Sequence, residues 1–534
     1  MHPTECPHVA RMGAQSKPRL KRLTILAGLI SLIWFLVRVI PKPSRAAYPC
    51  QRAAAPLASG FVIWLGGLLC AQALRRKASA VAHRSRFALA GVALASALLA
   101  VWLPLGVTGD AAAQQPFVPS DAPNTPIGTG KGIHPGRVVW AHEPDAARWD
   151  GKTGDWWDDG NSDQRLVSGM LSSALRSLAG KKTGKEAWDA LFHSFNQTHN
   201  AGNTGYRPGE KIAIKINENQ NRSGTWSTGQ AMPSPHVVYA LVAELIEVAG
   251  VRGENITIYD ASRTIGDPII RKIRANANGD FQAVRFVAGK PGVGQIAAEF
   301  DNTNAVHFAD PNVPEAYLPK CVTEAKYLVN LALLRAHILL GVTLTAKNHF
   351  GSVYFPNNGG WTPRPLHSFG GRTRAAGSYN CLVDLIGHKQ LGGKTLLYLV
   401  DGLYPGEHNE TKVIRFASFG DQWAASLFAS QDPVAIDSVA LDFLRNEPRA
   451  TQVRGNADNY LHEAALANKP PSGTLYDPAR EGKPLASLGV HEHWNNATAR
   501  QYSRNLGKKE GIELVALPPS QTAPASGRSG SEIP

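Results

Sequence analysis

The chain is poor in sulfur, with five cysteines and four methionines in 534 residues. Cys6, Cys50, Cys70, Cys321 and Cys381 are scattered. They form no C-x-x-C pair and no Cys/His cluster, so no iron–sulfur cluster and no cysteine-held structural zinc is expected. Cys321 and Cys381, the two beyond the N-terminal region, either pair outside the cytoplasm or stay as thiols. G-x-S-x-G, P-loop and G-x-G-x-x-G signatures are missing too, which removes the usual sequence grounds for a nucleophile-elbow hydrolase, an NTPase or a dinucleotide enzyme. There is no internal repeat. Acidic residues are almost absent from the first 107 positions, where Glu5 stands against fourteen Lys/Arg, whereas the remainder holds 42 basic and 41 acidic residues. The formal charge of +14 therefore belongs to the N-terminal region. Such a distribution suits anionic lipid headgroups, and no nucleic-acid partner is expected.

That basic region also holds three apolar stretches: Leu23 to Val37, which continues through Arg38 to Ile40, Leu57 to Leu74 and Phe87 to Val107. A membrane span needs about 20 apolar residues, with a range of about 17–25. The first stretch is the shortest, and its alternative is an interfacial or signal-like segment. Arg11, Lys17, Arg19, Lys21 and Arg22 precede it, and Arg75, Arg76, Lys77, Arg84 and Arg86 lie between the second and third. By the positive-inside rule both segments are cytoplasmic, so three crossings place the rest of the chain outside. The expected organisation is a basic N-terminus over 1–22, an anchor of about three helices over 23–107, and a Pro/Gly/Ala-rich linker over 108–135. A large domain over 136–517 and a disordered tail over 518–534 follow. Ala111-Ala112-Ala113 offers a cleavage site whose use would release the domain.

Beyond the linker the periodicities change. Trp140 to Asp159 is rich in tryptophan, which reads as aromatic packing under a loop or, alternatively, as a carbohydrate surface. Leu166, Met170, Leu171, Ala174, Leu175 and Leu178 have helical spacing. Lys211 to Ile216 and Asn255 to Tyr259 read as strands. Between them Ser234-Pro235 opens a helix that Gly250 closes. Further strands are expected at Tyr327 to Leu331 and Thr395 to Val400, and a capped helix from Asp432-Pro433 to about Leu444. Strands alternating with helices predict an α/β domain with a mainly parallel, doubly wound sheet, preceded by a helical transmembrane anchor.

Open α/β sheets bind ligands outside the carboxyl ends of their strands. Lys215, Asn217, Asp260 and Asp401 all fall at such ends, although Asp and Asn also make turns there. Lys347, Asn348 and His349 close a long apolar run that also holds Asn330, Arg335 and His337. Buried polar groups are costly unless paired, which draws attention to this run. Lys347, His349 and Asp401 are the catalytic candidates. Lys215, Asn217 and Asn348 are the ligand-binding ones. Asp260 and Asp437 are candidate ligands of a divalent metal. His491-Glu492-His493 resembles a fragment of a metal motif without its helical spacing.

The Lys-x-Asn strand end at Lys215, the Ser-Pro start at Ser234, VNLALLRAHILLGVTLTAKNHFG, LYLVDGL and SQDPVAIDSVA occur in the order that resembles the domain of unknown function 362 family. The resemblance covers roughly Arg207 to Leu444. It implies a fold and a place for the site, but no reaction. Some relatives carry ferredoxin-like cysteines, which this chain lacks. The combined expectation is a multi-pass membrane protein whose extracytoplasmic domain acts as an enzyme on a small anionic substrate. The alternative is a non-catalytic ligand-binding or envelope scaffold protein.

Overall fold

The computed structural model describes residues 121–519 apart from 220–223, 357–363 and 410, together with Ile33, Trp34 and Val37. Those three are helical. The expected membrane spans otherwise lie outside the described residues, as do the cleavage site and almost all of the C-terminal tail. Among the described residues no helix is long and apolar enough to cross a membrane.

A ten-stranded sheet organises the unit that begins at Phe117. Its strands are β1 (Arg137–His142), β2 (Ile212–Lys215), β3 (Ile256–Asp260), β4 (Arg285–Ala288), β5 (Ile296–Ala297), β6 (Tyr327–His337), β7 (Gly341–Thr343), β8 (Thr395–Gly406), β9 (Ser426–Ser430) and β10 (Glu513–Leu517). Their spatial order is β10-β1-β9-β8-β6-β2-β3-β4-β5, with β7 folded back on β6. The sheet is mainly parallel. β9 runs antiparallel to both β8 and β1, and β7 is antiparallel to β6.

Helices cover both faces, each over its own apolar core. On one face lie α1 (Gln164–Ala179), α2 (Gly184–Thr198), α3 (Pro235–Ala243) and α4 (Asp267–Arg274). On the other lie α5 (Thr345–Asn348), α6 (Cys381–Gly387), α7 (Pro433–Asn446) and α8 (Asn459–Ala465). The alternation of β2 decides which residue faces which core: Ile212 and Ile214 join the first, Ala213 the second. Burial on both faces explains why these strands read as continuous apolar runs.

Several expected elements differ in extent. β6 and β8 run well beyond Leu331 and Val400. Their polar distal residues, Arg335 and His337 on one and Asp401 on the other, are buried within the strands instead of following them. The helix after Ser234 changes to a π-helical turn over Glu244–Val248 before Gly250 closes it with φ 74°. Residues 121–135, part of the stretch read as a linker, include the short strand Ile127–Gly128, which pairs with Val490–His491. The tryptophans pack internally: Trp149 stacks on Trp423, and the buried Trp156 on Trp226. Cys321 and Cys381 are both free thiols.

Candidate functional site

The winding of the sheet fixes where a site can form. From β2 the chain moves outward through β3, β4 and β5, then returns to place β6 on the other side of β2 and β8 beyond it. The connections from β2 and β6 therefore leave in opposite directions. At such a switch point a crevice opens beyond the strand carboxyl ends. Lys215 ends β2, Asp260 ends β3, and Arg335 lies in the distal part of β6.

These residues form one network with α5, which sits across the strand ends. Lys215 Nζ donates to Asp260 Oδ2 at 3.0 Å and to Asn348 Oδ1 at 3.1 Å. Asn348 Nδ2 donates to Asn330 Oδ1 at 2.8 Å and to the Leu331 carbonyl at 3.1 Å, which fastens α5 to β6. Arg335 Nη2 donates to Asn217 Oδ1 at 2.8 Å, and its Nη1 to the Ala231 carbonyl at 2.6 Å. The sequence candidates Lys215, Asn217, Asp260 and Asn348 are thus brought together. Gly351 permits the approach: a Cβ there would lie 2.6 Å from both Lys215 Nζ and Asp260 Oδ1.

The carboxylates are committed to protein donors. Asp260 Oδ2 takes Lys215 and the Glu218 amide, while Oδ1 takes the amide and hydroxyl of Ser262. The Lys215 ammonium and the Ser262 donors hold it below the usual carboxylate range against the cost of burial. Asp437 closes the start of α5: Oδ1 accepts from the Thr345 amide and hydroxyl, and Oδ2 from the Ala346 amide and Tyr460. The two candidate metal ligands are therefore separately occupied, each by its own set of protein donors. Asp401 accepts from the Ser234 amide at 2.7 Å and the Leu403 amide at 3.0 Å. Burial pushes its pKa up to about 6. Asp401 thus holds the backbone at the residue that precedes α3, while the Ser234 hydroxyl has no hydrogen-bond partner among the described residues.

His349 is fully buried, with Nε2 3.1 Å from Asn330 Nδ2 and Nδ1 3.5 Å from the Ser352 hydroxyl. Burial lowers its pKa to about 3. It is a neutral ring within the packing, and this environment gives no support to acid/base work near neutral pH.

Lys347 is different. Its side chain is 4% exposed and makes no hydrogen bond among the described residues. Its ammonium lies 4.2 Å from the centre of the Phe350 ring. Burial, then the like charges of Arg335, Arg263 and Lys215, lower its pKa to about 7. An amine partly deprotonated near neutral pH can carry a proton or attack a carbonyl, and when charged it can hold an anion.

Arg335, His367 and His408 belong to the same neighbourhood but were not among the sequence candidates. Lys347, His367, Arg335 and His408 all depress the pKa of buried His337. The Arg335 guanidinium carried a usable signal, because a charge inside an otherwise apolar strand must face a partner. His367 ends the short helix Arg364–His367 and His408 sits on a loop, and nothing in their local sequence marks them.

Residues 212–442 match the family model of a domain of unknown function, DUF362. The matched segment contains the candidates Lys215, Asn217, Asp260, Lys347, Asn348, His349, Asp401 and Asp437. No curated protein matches the chain.

Proposed function

We propose that the crevice at the β2/β6 switch point binds a small anionic substrate, with Lys347 as its cationic centre. The observation that carries this reading is a largely buried lysine whose amine makes no hydrogen bond among the described residues and feels Arg335, Arg263 and Lys215 more strongly than Asp260. Leaving a buried charge uncompensated is expensive, and a carboxylate, sulfate or phosphate group would supply the missing countercharge. Catalysis is the leading reading, because Lys347 titrates near neutral pH and is thereby suited to proton transfer or covalent chemistry. The full occupation of Asp260, Asp401 and Asp437 favours a second reading, a non-catalytic anion receptor. We also infer from the N-terminal charge pattern that the chain is membrane-anchored and that this site faces the outside.

The test is calorimetric titration with sulfate, which keeps its charge across neutral pH, beside phosphate and a panel of small carboxylates. An anion favours the protonated amine, so sulfate affinity should fall as pH rises through about 7. Lys347→Met should abolish the binding while the fold persists. Equal binding by that variant and the unaltered chain would refute the assignment. Turnover of any bound carboxylate or phosphate ester, lost in Lys347→Met, separates enzyme from receptor.

A further inference from the structure

A second convergence of polar groups lies outside the family-matched segment and draws on three parts of the chain. Asp121 precedes the strand Ile127–Gly128, His462 lies in α8, and His491 and His493 flank Glu492. Pairing of Ile127 with His491 brings the first part against the last. The His462 and His491 rings are 4.8 Å apart, and those of His491 and His493 4.9 Å. Asp121 Oδ2 contacts His462 Nε2 directly and lies 3.7 Å from His491 Nε2. One ligand atom each from Asp121, His491 and His493 lies within 4.8 Å of the other two.

The hydrogen bonds around the rings settle where their protons are. Ser438 Oγ lies 2.6 Å from the Val434 carbonyl and 2.8 Å from His491 Nδ1. A hydroxyl has one proton, and a carbonyl only accepts, so that proton goes to Val434 and His491 Nδ1–H must be the donor to Ser438. His491 Nε2 then carries a lone pair. This atom is buried, has no hydrogen-bond partner among the described residues, and points toward the Asp121 carboxylate. His462 Nδ1 faces the Asp458 carbonyl at 3.1 Å, so it too is protonated and its Nε2 is turned to Asp121. His493 Nδ1 lies 2.7 Å from Asp442 Oδ1, a carboxylate that also accepts from Tyr502 and the Trp494 amide. All three imidazoles have Nδ1 held by an oxygen, and His491 and His462 turn Nε2 to Asp121, which is the arrangement that metal-ligating histidines adopt.

We propose that Asp121, His491 and His493, with His462 as fourth donor, form a binding site for a divalent cation of the zinc type. Three nitrogens and one carboxylate oxygen match the ligand preference and coordination number of zinc. At metal–ligand distances of about 2.0–2.2 Å, tetrahedral ligand atoms stand roughly 3.3–3.6 Å apart. The Asp121–His491 separation of 3.7 Å is close to this, and His493 has a ligand atom within 4.8 Å of both. The surrounding charge is suitable. Asp121, Asp442 and Asp458 are opposed by Arg445, which pairs with Asp458 at 2.9 Å. That leaves two negative charges for a divalent ion to balance. The ion would fasten the segment before β1 to α8 and to the C-terminal segment.

The experiment uses the purified full chain, loaded with zinc and dialysed, with metal measured by elemental analysis. One tightly held zinc per chain is expected, and a visible absorption spectrum of four-coordinate cobalt on replacement by Co²⁺. Chelation should lower the melting temperature, and zinc should restore it. His491→Ala and Asp121→Asn should lose the ion. Ser438→Ala, which frees the orientation of His491, should weaken affinity about 10–100-fold. Lys347→Met should keep the ion, which separates this site from the anion crevice. A chain that retains no zinc and melts identically with zinc or chelator would overturn the proposal. So would a folded Asp121→Asn variant that binds zinc as tightly as the unaltered chain. Should His491→Ala fail to fold, Asp121→Asn decides.

Discussion

Lys347 shows a residue whose burial opposes stability. Its pKa falls from 10.5 to about 7 on folding, chiefly by desolvation. Between those values the unfolded chain holds a proton that the folded chain has released. Unfolding therefore takes up a proton there, and stability rises with pH from about 7 to about 10.5. Below pH about 7 the folded chain carries the full cost of the buried ammonium, on the order of a few kcal/mol. Lys347→Met fills similar space without charge. It should raise the melting temperature most below neutral pH and flatten the rise above it. Melts of the two chains across this range, without added anion, check the sign; a destabilised Lys347→Met variant would mean that the amine has a stabilising partner. Gly351→Ala acts in the opposite sense, since its Cβ would press on Lys215 Nζ and Asp260 Oδ1. Displacing that buried ion pair should cost about 3–5 kcal/mol, measurable by denaturant unfolding.

At the scale of elements, the site depends on carboxylates that fasten one element to another. Asp401 joins β8 to the start of α3 through the Ser234 amide, and Asp437 joins α7 to the start of α5. Asp437→Ala strands the amides of Thr345 and Ala346, each costing about 1–3 kcal/mol when buried and unpaired. The variant should be strongly destabilised in denaturant melts. Asp401→Ala should behave similarly and should release the start of α3. Persistence of native stability in either would show that water replaces the carboxylate. These roles mark how far the sequence could be read. The strands and helices of the parallel sheet were legible because period and caps are local, as at Asp432, which does cap α7. The grouping of Lys215, Asn217, Asp260 and Asn348 was legible because strand-end position implies convergence. What each carboxylate bonds was not, because Asp401 and Asp437 take amides 167 and 92 residues away in sequence. His349 looked reactive beside Lys347, yet only its burial among Asn330 and Ser352 distinguishes the two.

For the whole molecule, the division of charge gives the remaining test. Fourteen basic residues and one acidic residue fill the first 107 positions, while the rest of the chain is nearly balanced. The unit from Phe117 onward contains the ten-stranded sheet and both apolar cores. A chain truncated to start at Phe117 should be soluble and melt cooperatively. The full chain should sediment with membranes and resist extraction at alkaline pH, because apolar stretches of span length contribute far more than surface charge. Reporter fusions resolve the orientation. One placed after Thr108 should be active only outside the cytoplasm, and one near Lys77 only within it, since Arg75, Arg76 and Lys77 favour retention on the cytoplasmic side. A full chain released by alkaline extraction would remove the anchor from the reading. A cytoplasmic signal from the fusion after Thr108 would instead leave the anchor and place the anion crevice inside the cell.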